Sequence, residues 1–277
     1  HTIYIDENGI GYIFGGNSAT HGNASHFIDI AANPTDPPYL GKYTTYIHDG
    51  FVRNDTLWAC EIYAGKLRML NVSNKTSAVS MGSKTTPNAF THSAWPTTDG
   101  DYVYVTDEVN GAWVTAYNCS DAADIKEVDR YKHDPLVNYP PHNPYRLNDF
   151  FVVSYYKAGV TIVDCKYPYN LIETGHYDTN PLVGSGFEGV WTAHPYLPSG
   201  VVLASDMQDG LFILEPTYTQ ACYVEGVVKD AITNANILGA TVQVVNIIGS
   251  NTTTNATGFY ATGSGASGSK LIVTSKT

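Results

Sequence analysis

Basic residues are scarce in this chain: 15 Lys and Arg stand against 26 Asp and Glu, for a formal net charge of −11. A field of that sign repels phosphate backbones and anionic lipid, which excludes nucleic acid as a natural partner. Long apolar runs are missing too. No uninterrupted stretch approaches the roughly 20 residues needed to cross a bilayer, so no direct membrane span is expected, and no signal peptide stands at the start. The reading is of a soluble, already processed chain. Only four cysteines occur, Cys60, Cys119, Cys165 and Cys222, without the CxxC spacing of a zinc site. Cys119 and Cys165 close the same strand in successive repeats, where they stand too far apart to bond, so free, buried thiols are expected. A G-x-S-x-G elbow, a Walker loop, a G-x-G-x-x-G turn and an H-E-x-x-H helix are all absent, which removes the commonest signatures of hydrolases, nucleotide binders and zinc proteases.

What is present is the material of pleated strands. Hydrophobic residues make up 43% of the chain and Tyr alone supplies 21 residues; Thr, Val, Ile and Gly are also frequent, as in strands joined by tight turns. A four-strand unit recurs, opening at His1, His48, His92, His142 and Trp191, with steps of 47, 44, 50 and 49 residues. That is the period of a β-propeller blade. In the third unit Phe90–Trp95 reads as the innermost strand and Tyr102–Thr106, alternating in period two, as the second. Ala112–Tyr117 follows as the third and Ile125–Tyr131 as the outermost. Leu57–Cys60, Phe151–Ser154 and Val201–Ala204 take the second-strand place in neighbouring units, and glycine turns at Gly65, Gly159 and Gly210 open their third strands. A lone four-stranded sheet cannot cover both its faces, whereas stacked sheets cover one another. The expected fold is all-β, a propeller over residues 1–216 with five repeats visible, either a five-bladed ring or part of a larger one.

Longer strings carry a resemblance. His48-Asp-Gly-Phe-Val-Arg-Asn-Asp-Thr-Leu-Trp58, Pro87-Asn-Ala-Phe-Thr-His92, Thr106-Asp-Glu108, His142-Asn143, Ser154-Tyr-Tyr156, Gly159-Val-Thr-Ile-Val-Asp164 and Leu197-Pro-Ser-Gly200 closely resemble the choice-of-anchor B family, whose propellers are built from LVIVD repeats. The resemblance implies an exported bacterial surface or secreted protein, of a kind common in Bacteroidetes, and it implies no reaction. Family members carry further repeat material ahead of the copy that opens here at His1, so missing or processed sequence is expected. After Pro216 the pattern changes. Residues from Cys222 to Val244, with Thr254–Tyr260 as a following hairpin, resemble a carboxypeptidase-regulatory-like domain, a prealbumin-like (Ig-like) β-sandwich. Val224, Val227, Ala240, Val242, Val244 and Ile247 are the positions expected to face its core. The expected division is 1–216 and 217–277, the second part incomplete.

Chemistry is expected where the repeats open. The first position of each unit lies at one end of the innermost strand, so His1, His48, His92 and His142 should meet at the mouth of a central channel. Four imidazoles there can hold a divalent transition metal, with Asp49, Glu61, Asp107, Glu108 and Asp206 as nearby carboxylates. The opposing reading is that repeated histidines only bond adjacent strands. Trp191 breaks the series, and His194 follows three positions on. Asp6-Glu-Asn8-Gly9, Asp99-Gly-Asp101 and Asp121-Ala-Ala-Asp124 offer oxygens for calcium, or simply serve their own turns. His21, His26, His133, His176 and His194 default to surface or turn roles. Seven sequons, at Asn23, Asn54, Asn71, Asn74, Asn118, Asn251 and Asn255, fit a secreted or cell-surface glycoprotein, although an Asn- and Thr-rich β protein also generates them by chance.

The function expected from these features is a non-catalytic extracellular binding or structural protein that presents a loop face to another protein or a glycan. One alternative is a metal-dependent enzyme, a hydrolase or lyase with Asp107 and Glu108 beside His92 at the axis. Another is a homo-oligomer or filament subunit formed through unpaired strand edges.

Overall fold

The computed structural model describes residues 1–276, and apart from two single helical turns, Ile62–Ala64 and Ala122–Asp124, every regular element is a strand. The first sheet contains β1 (Thr2–Ile5), β2 (Ile10–Ser18), β3 (Gly22–Asp29) and β4 (Tyr39–Tyr43) in chain order. The second contains β5 (Asp49–Arg53), β6 (Thr56–Glu61), β7 (Lys66–Asn71) and β8 (Val79–Thr85). The third contains β9 (Thr91–Pro96), β10 (Tyr102–Asp107), β11 (Val114–Asn118) and β12 (Lys126–Tyr131). A fourth is built from β13 (Pro144–Leu147), β14 (Phe150–Ser154), β15 (Val160–Asp164) and β16 (Ile172–Tyr177). The fifth, with β17 (Val190–His194), β18 (Val202–Asp206) and β19 (Gly210–Leu214), has three strands among the described residues rather than the expected four.

All these ladders are antiparallel, because consecutive strands are joined by short turns. Gly159 shows what such a turn requires. Its φ is +75°, and a Cβ there would sit 2.2 Å from the carbonyl oxygen of Tyr177, so both the backbone conformation and the space demand glycine.

The residues fall into two compact units: His1–Val128 with Pro140–Pro144, and Asp129–Tyr139 with everything described from Tyr145 onward. In the first unit, β6 shows how the sheets stack. Leu57 and Ala59 join Tyr12, Phe14 and Phe27 of the first sheet in one core. Trp58 and Cys60 point the other way and join Val103, Val105 and Tyr117 of the third. A strand covered on both faces reads as a continuous apolar run, which is why Leu57–Cys60 lacks polar alternation. A large apolar side chain such as Leu57 contributes about 1.5–3 kcal/mol on burial. In the second unit, Val152, Val160 and Ile162 of the fourth sheet pack with Val190, Ala193, Val202 and Ala204 of the fifth.

Beyond Pro216, β20 (Cys222–Val227) pairs with β23 (Phe259–Ser264), while β21 (Thr241–Val244) lies between β22 (Thr252–Thr253) and β24 (Ile272–Ser275). Ala240, Val242 and Val244 are buried and Thr241 and Gln243 exposed, as the alternation predicts. Val227, expected inside, is exposed. Within the second unit these strands are tied to the fourth sheet. The Asn170 side-chain amide donates to the Thr262 carbonyl at 3.0 Å, and Ala221 N and the Tyr223 hydroxyl donate to Asp164. Residues 217–276 therefore share a compact unit with the fourth and fifth sheets. Cys60, Cys119 and Cys165 are free and buried as expected; Cys222 is free but exposed.

Candidate metal centre

Local structure fixes each of the four histidines separately. His1 immediately precedes β1, His48 immediately precedes β5, and His92 is the second residue of β9. His142 lies in the run Pro140-Pro-His-Asn-Pro144, where three prolines restrict the backbone and the Thr106 hydroxyl donates to the His142 carbonyl at 2.5 Å. All four belong to the first unit.

There the rings form a row. Ring centroids are 3.7 Å apart for His1 and His48, 4.6 Å for His48 and His92, and 4.3 Å for His92 and His142. The row runs from exposed His1 through half-buried His48 to His92 and His142, each 1% exposed. The Tyr46 hydroxyl lies 3.3 Å from His48 Nδ1, which leaves Nε2 facing the row. That buried Nε2 has no hydrogen-bond partner, and neither ring nitrogen of His92 makes a well-aligned one, although the His142 backbone lies close enough to favour its protonated form. Burial, reinforced by the His142 imidazole, lowers the His48 pKa to about 4. Burial together with His142 and His48 holds His92 well below the ordinary histidine range. These rings are therefore neutral at pH 7, the form that ligates metals.

Of the acidic candidates, Glu108 alone joins the histidines. Its Oε2 is 3.4 Å from His92 Nε2 and its Oε1 3.6 Å from His142 Nε2. Those separations are long for hydrogen bonds, but two ligand atoms on one tetrahedral zinc ion at about 2.1 Å stand about 3.4 Å apart. Two sets bring their ligand atoms within 4.8 Å of one another: His92, Glu108 and His142, and His1, His48 and His92. The donor chemistry and the orphaned nitrogens both fit a divalent transition metal.

The other carboxylates are occupied elsewhere. Asp107 turns away from Glu108 and accepts from the Thr86 hydroxyl (2.6 Å), Asn88 N (2.9 Å) and Phe90 N (3.0 Å), pinning the loop before β9. Asp206 does the same before β17 through the Thr179 hydroxyl and the Asn180 amide. Glu61 pairs with Arg68 at 2.7 Å. Asp49 accepts from Gly50 N, and burial raises its carboxyl pKa to about 6. The candidate calcium carboxylates Asp6, Asp99 and Asp121 accept hydrogen bonds from within their own turns. Of the histidines expected in surface or turn roles, His26 is buried and bonds the Gly22 carbonyl beside the β2–β3 turn, and His133 Nδ1 donates to Glu173 at 2.9 Å. Tyr46 and Thr106 were not legible as site residues, although Tyr46 stands two residues before His48, where an extended chain presents both to one face.

No protein-family model matches the sequence, and no curated protein matches it. Solved structures are similar to it in fold. The periplasmic gluconolactonase of Pseudomonas aeruginosa aligns at 10% identity with a TM-score of 0.55, over 98% of this chain and 72% of that one. The β-propeller domain of Myceliophteria thermophila Cps50 (Swd1) aligns at 12% identity and a TM-score of 0.50, over 75% and 65%. The chain is a β-propeller. A 6-phosphogluconolactonase-like protein of Bacteroides uniformis is similar at 13% identity and a TM-score of 0.50, over 85% and 69%. Across the structures compared, this propeller spans between 54% and 82% of the other chain.

These neighbours correct one expectation. A non-catalytic presenting surface was the first reading from the sequence, yet two of the propellers matched are a lactonase and a lactonase-like protein. Within the first unit, moreover, histidines and a carboxylate come together in one cluster.

Proposed function

We propose that this propeller is a metal-dependent hydrolase whose centre is His92, Glu108 and His142, with His48 and His1 beside them. The observation that carries the proposal is the spacing of Glu108 at 3.4 and 3.6 Å from two buried imidazoles. A divalent ion held there would supply Lewis acidity toward a carbonyl oxygen. The chain's own residues perform the rest. Tyr46 keeps His48 Nε2 turned inward, Thr106 fixes the His142 backbone, and Glu108 holds negative charge against the ligand set. Sugar lactones are the substrate class to test first, since a gluconolactonase shares the fold.

The strings shared with the choice-of-anchor B family support reading the protein as exported, and the periplasmic location of one structural neighbour is compatible with that. No helix among the described residues is long and apolar enough to cross a membrane. The test is hydrolysis of a lactone panel by purified protein before and after chelation, with Glu108→Gln alongside. Metal-dependent turnover lost in the variant is the expected result. A protein that retains no metal and is indifferent to chelator overturns the reading.

A further inference from the structure

We propose that the histidine row holds two divalent metal ions rather than one, with His92 as the shared ligand between an inner site (His92, Glu108, His142) and an outer site (His1, His48, His92). The proposal rests on the metal-centre reading above and deepens it.

His92 belongs to both ligand sets. It is 1% exposed, and neither Nδ1 nor Nε2 makes a well-aligned hydrogen bond, the His142 backbone being the one polar group close enough to favour its protonated form. A neutral imidazole carries one N–H and one lone pair, so a buried ring with no well-aligned bond at either nitrogen leaves both its donor and its acceptor poorly satisfied. One ion relieves only one of them. Nε2 faces Glu108 and so belongs to the inner set, which leaves Nδ1 for the outer. His48 offers its own orphaned Nε2 to that outer ion, because Tyr46 engages Nδ1. The proton balance is simple. When the second ion binds, the remaining N–H bond of His92 breaks, a nitrogen–metal bond forms, and the proton leaves to water. The step would leave one new negative charge, on the His92 ring, which together with the Glu108 carboxylate would offset part of the charge of the two cations.

The two sites differ in exposure, so they should fill in order. Glu108 and buried His142 enclose the inner ion, and exposed His1 leaves the outer ion open to solvent and substrate. Zn2+ alone is the probe: apo protein is loaded, passed over a desalting column, and its zinc measured by mass spectrometry, with circular dichroism checking that each variant is folded. Wild type should retain two ions per chain. Glu108→Gln and His142→Gln should each retain one, as should His48→Gln, whereas His92→Gln should retain none. Wild type retaining one ion, with His48→Gln unaffected, overturns the shared-ligand proposal and leaves a mononuclear centre standing. No retained zinc in folded wild type overturns both.

Discussion

Asp107 and Glu108 are adjacent, and the end of β10 sends them in opposite directions with opposite consequences. Asp107 is 2% exposed and satisfies three donors of the loop before β9. Asp107→Ala should cost about 3 kcal/mol, because stranding a buried donor costs about 1–3 kcal/mol and bonds to a charged acceptor are the stronger ones, while leaving bound zinc unchanged. Glu108→Gln should do the reverse, with stability little altered and one of the two zinc ions lost; urea titration and metal analysis of the two variants check the pair. His133 supplies a pH dependence away from the metal centre. Burial alone lowers its pKa, but the hydrogen bond and charge of Glu173, with Asp134 and Asp178 nearby, outweigh burial and raise it. Tyr131 also donates to Glu173, and the His176 ring lies 4.2 Å from that of His133. A folded-state pKa above the unfolded value means that the stabilisation is fully present below about pH 6.5 and is lost as pH rises through the folded value. The urea midpoint should therefore decline from pH 6 to pH 8, and Glu173→Gln should flatten that decline.

The sequons also belong to this scale. Asn71, Asn74, Asn118 and Asn255 each accept, at the side-chain oxygen, from both the backbone N–H and the hydroxyl of the Ser or Thr two residues on. Asn33 makes the same turn with Thr35 across Pro34, where the intervening proline bars glycosylation. The motif has a structural reason to exist here: it closes turns, and at Asn71 and Asn118 it closes the same one, at the end of the third strand, in successive sheets.

At the scale of elements, β8 lies so close to the turn Ala122–Asp124 that a Cβ at Gly82 would sit 1.7 Å from the Ala122 carbonyl oxygen. Gly82→Ala should cost about 1–3 kcal/mol as the two sheets are pushed apart. Gly175→Ala on β16, where the nearest atoms are at an ordinary 3.4 Å, should be near neutral by comparison. Thermal or chemical denaturation of the two variants decides this. Strand order within each unit was legible because period-two alternation and glycine turns are local signals: Leu57–Cys60, Tyr102–Thr106 and Gly159–Val163 all lie where the sequence places them. Val227 was misread because alternation identifies two faces without saying which of them a neighbouring element covers. The three-stranded fifth sheet was missed for a similar reason, since a fourth strand forms only where residues pair with β19.

For the whole molecule, the charge of −11 and the metal centre bear on one another. An acidic protein concentrates cations around itself, so zinc association should slow as ionic strength rises from 10 mM toward about 150 mM, where the Debye length is about 8 Å. His1, His48, His92, Glu108 and His142, the residues that come together as ligands, all lie in the first unit. Zinc at 100 times its dissociation constant adds about 2.7 kcal/mol to whatever unfolds with the site. Hydrogen exchange should consequently slow within residues 1–128 and 140–144 and stay unchanged from 145 onward. Equal slowing throughout the chain would show that the site is not confined to that unit.

The repeat of histidines, the all-β architecture and the blade period were determined by sequence alone, because periodicity and turn chemistry are local properties that survive without knowledge of packing. Which carboxylate meets those histidines was decided by tertiary structure. Glu61, Asp107 and Asp206 stand at the ends of equivalent second strands, yet each is consumed by a loop or a cation beside it, and Glu108 is the one the stacking of sheets turns toward His92 and His142. The same stacking buries His92 and half-buries His48, and keeps both rings neutral. Desolvation is a property of what surrounds a group, and only the folded chain supplies it.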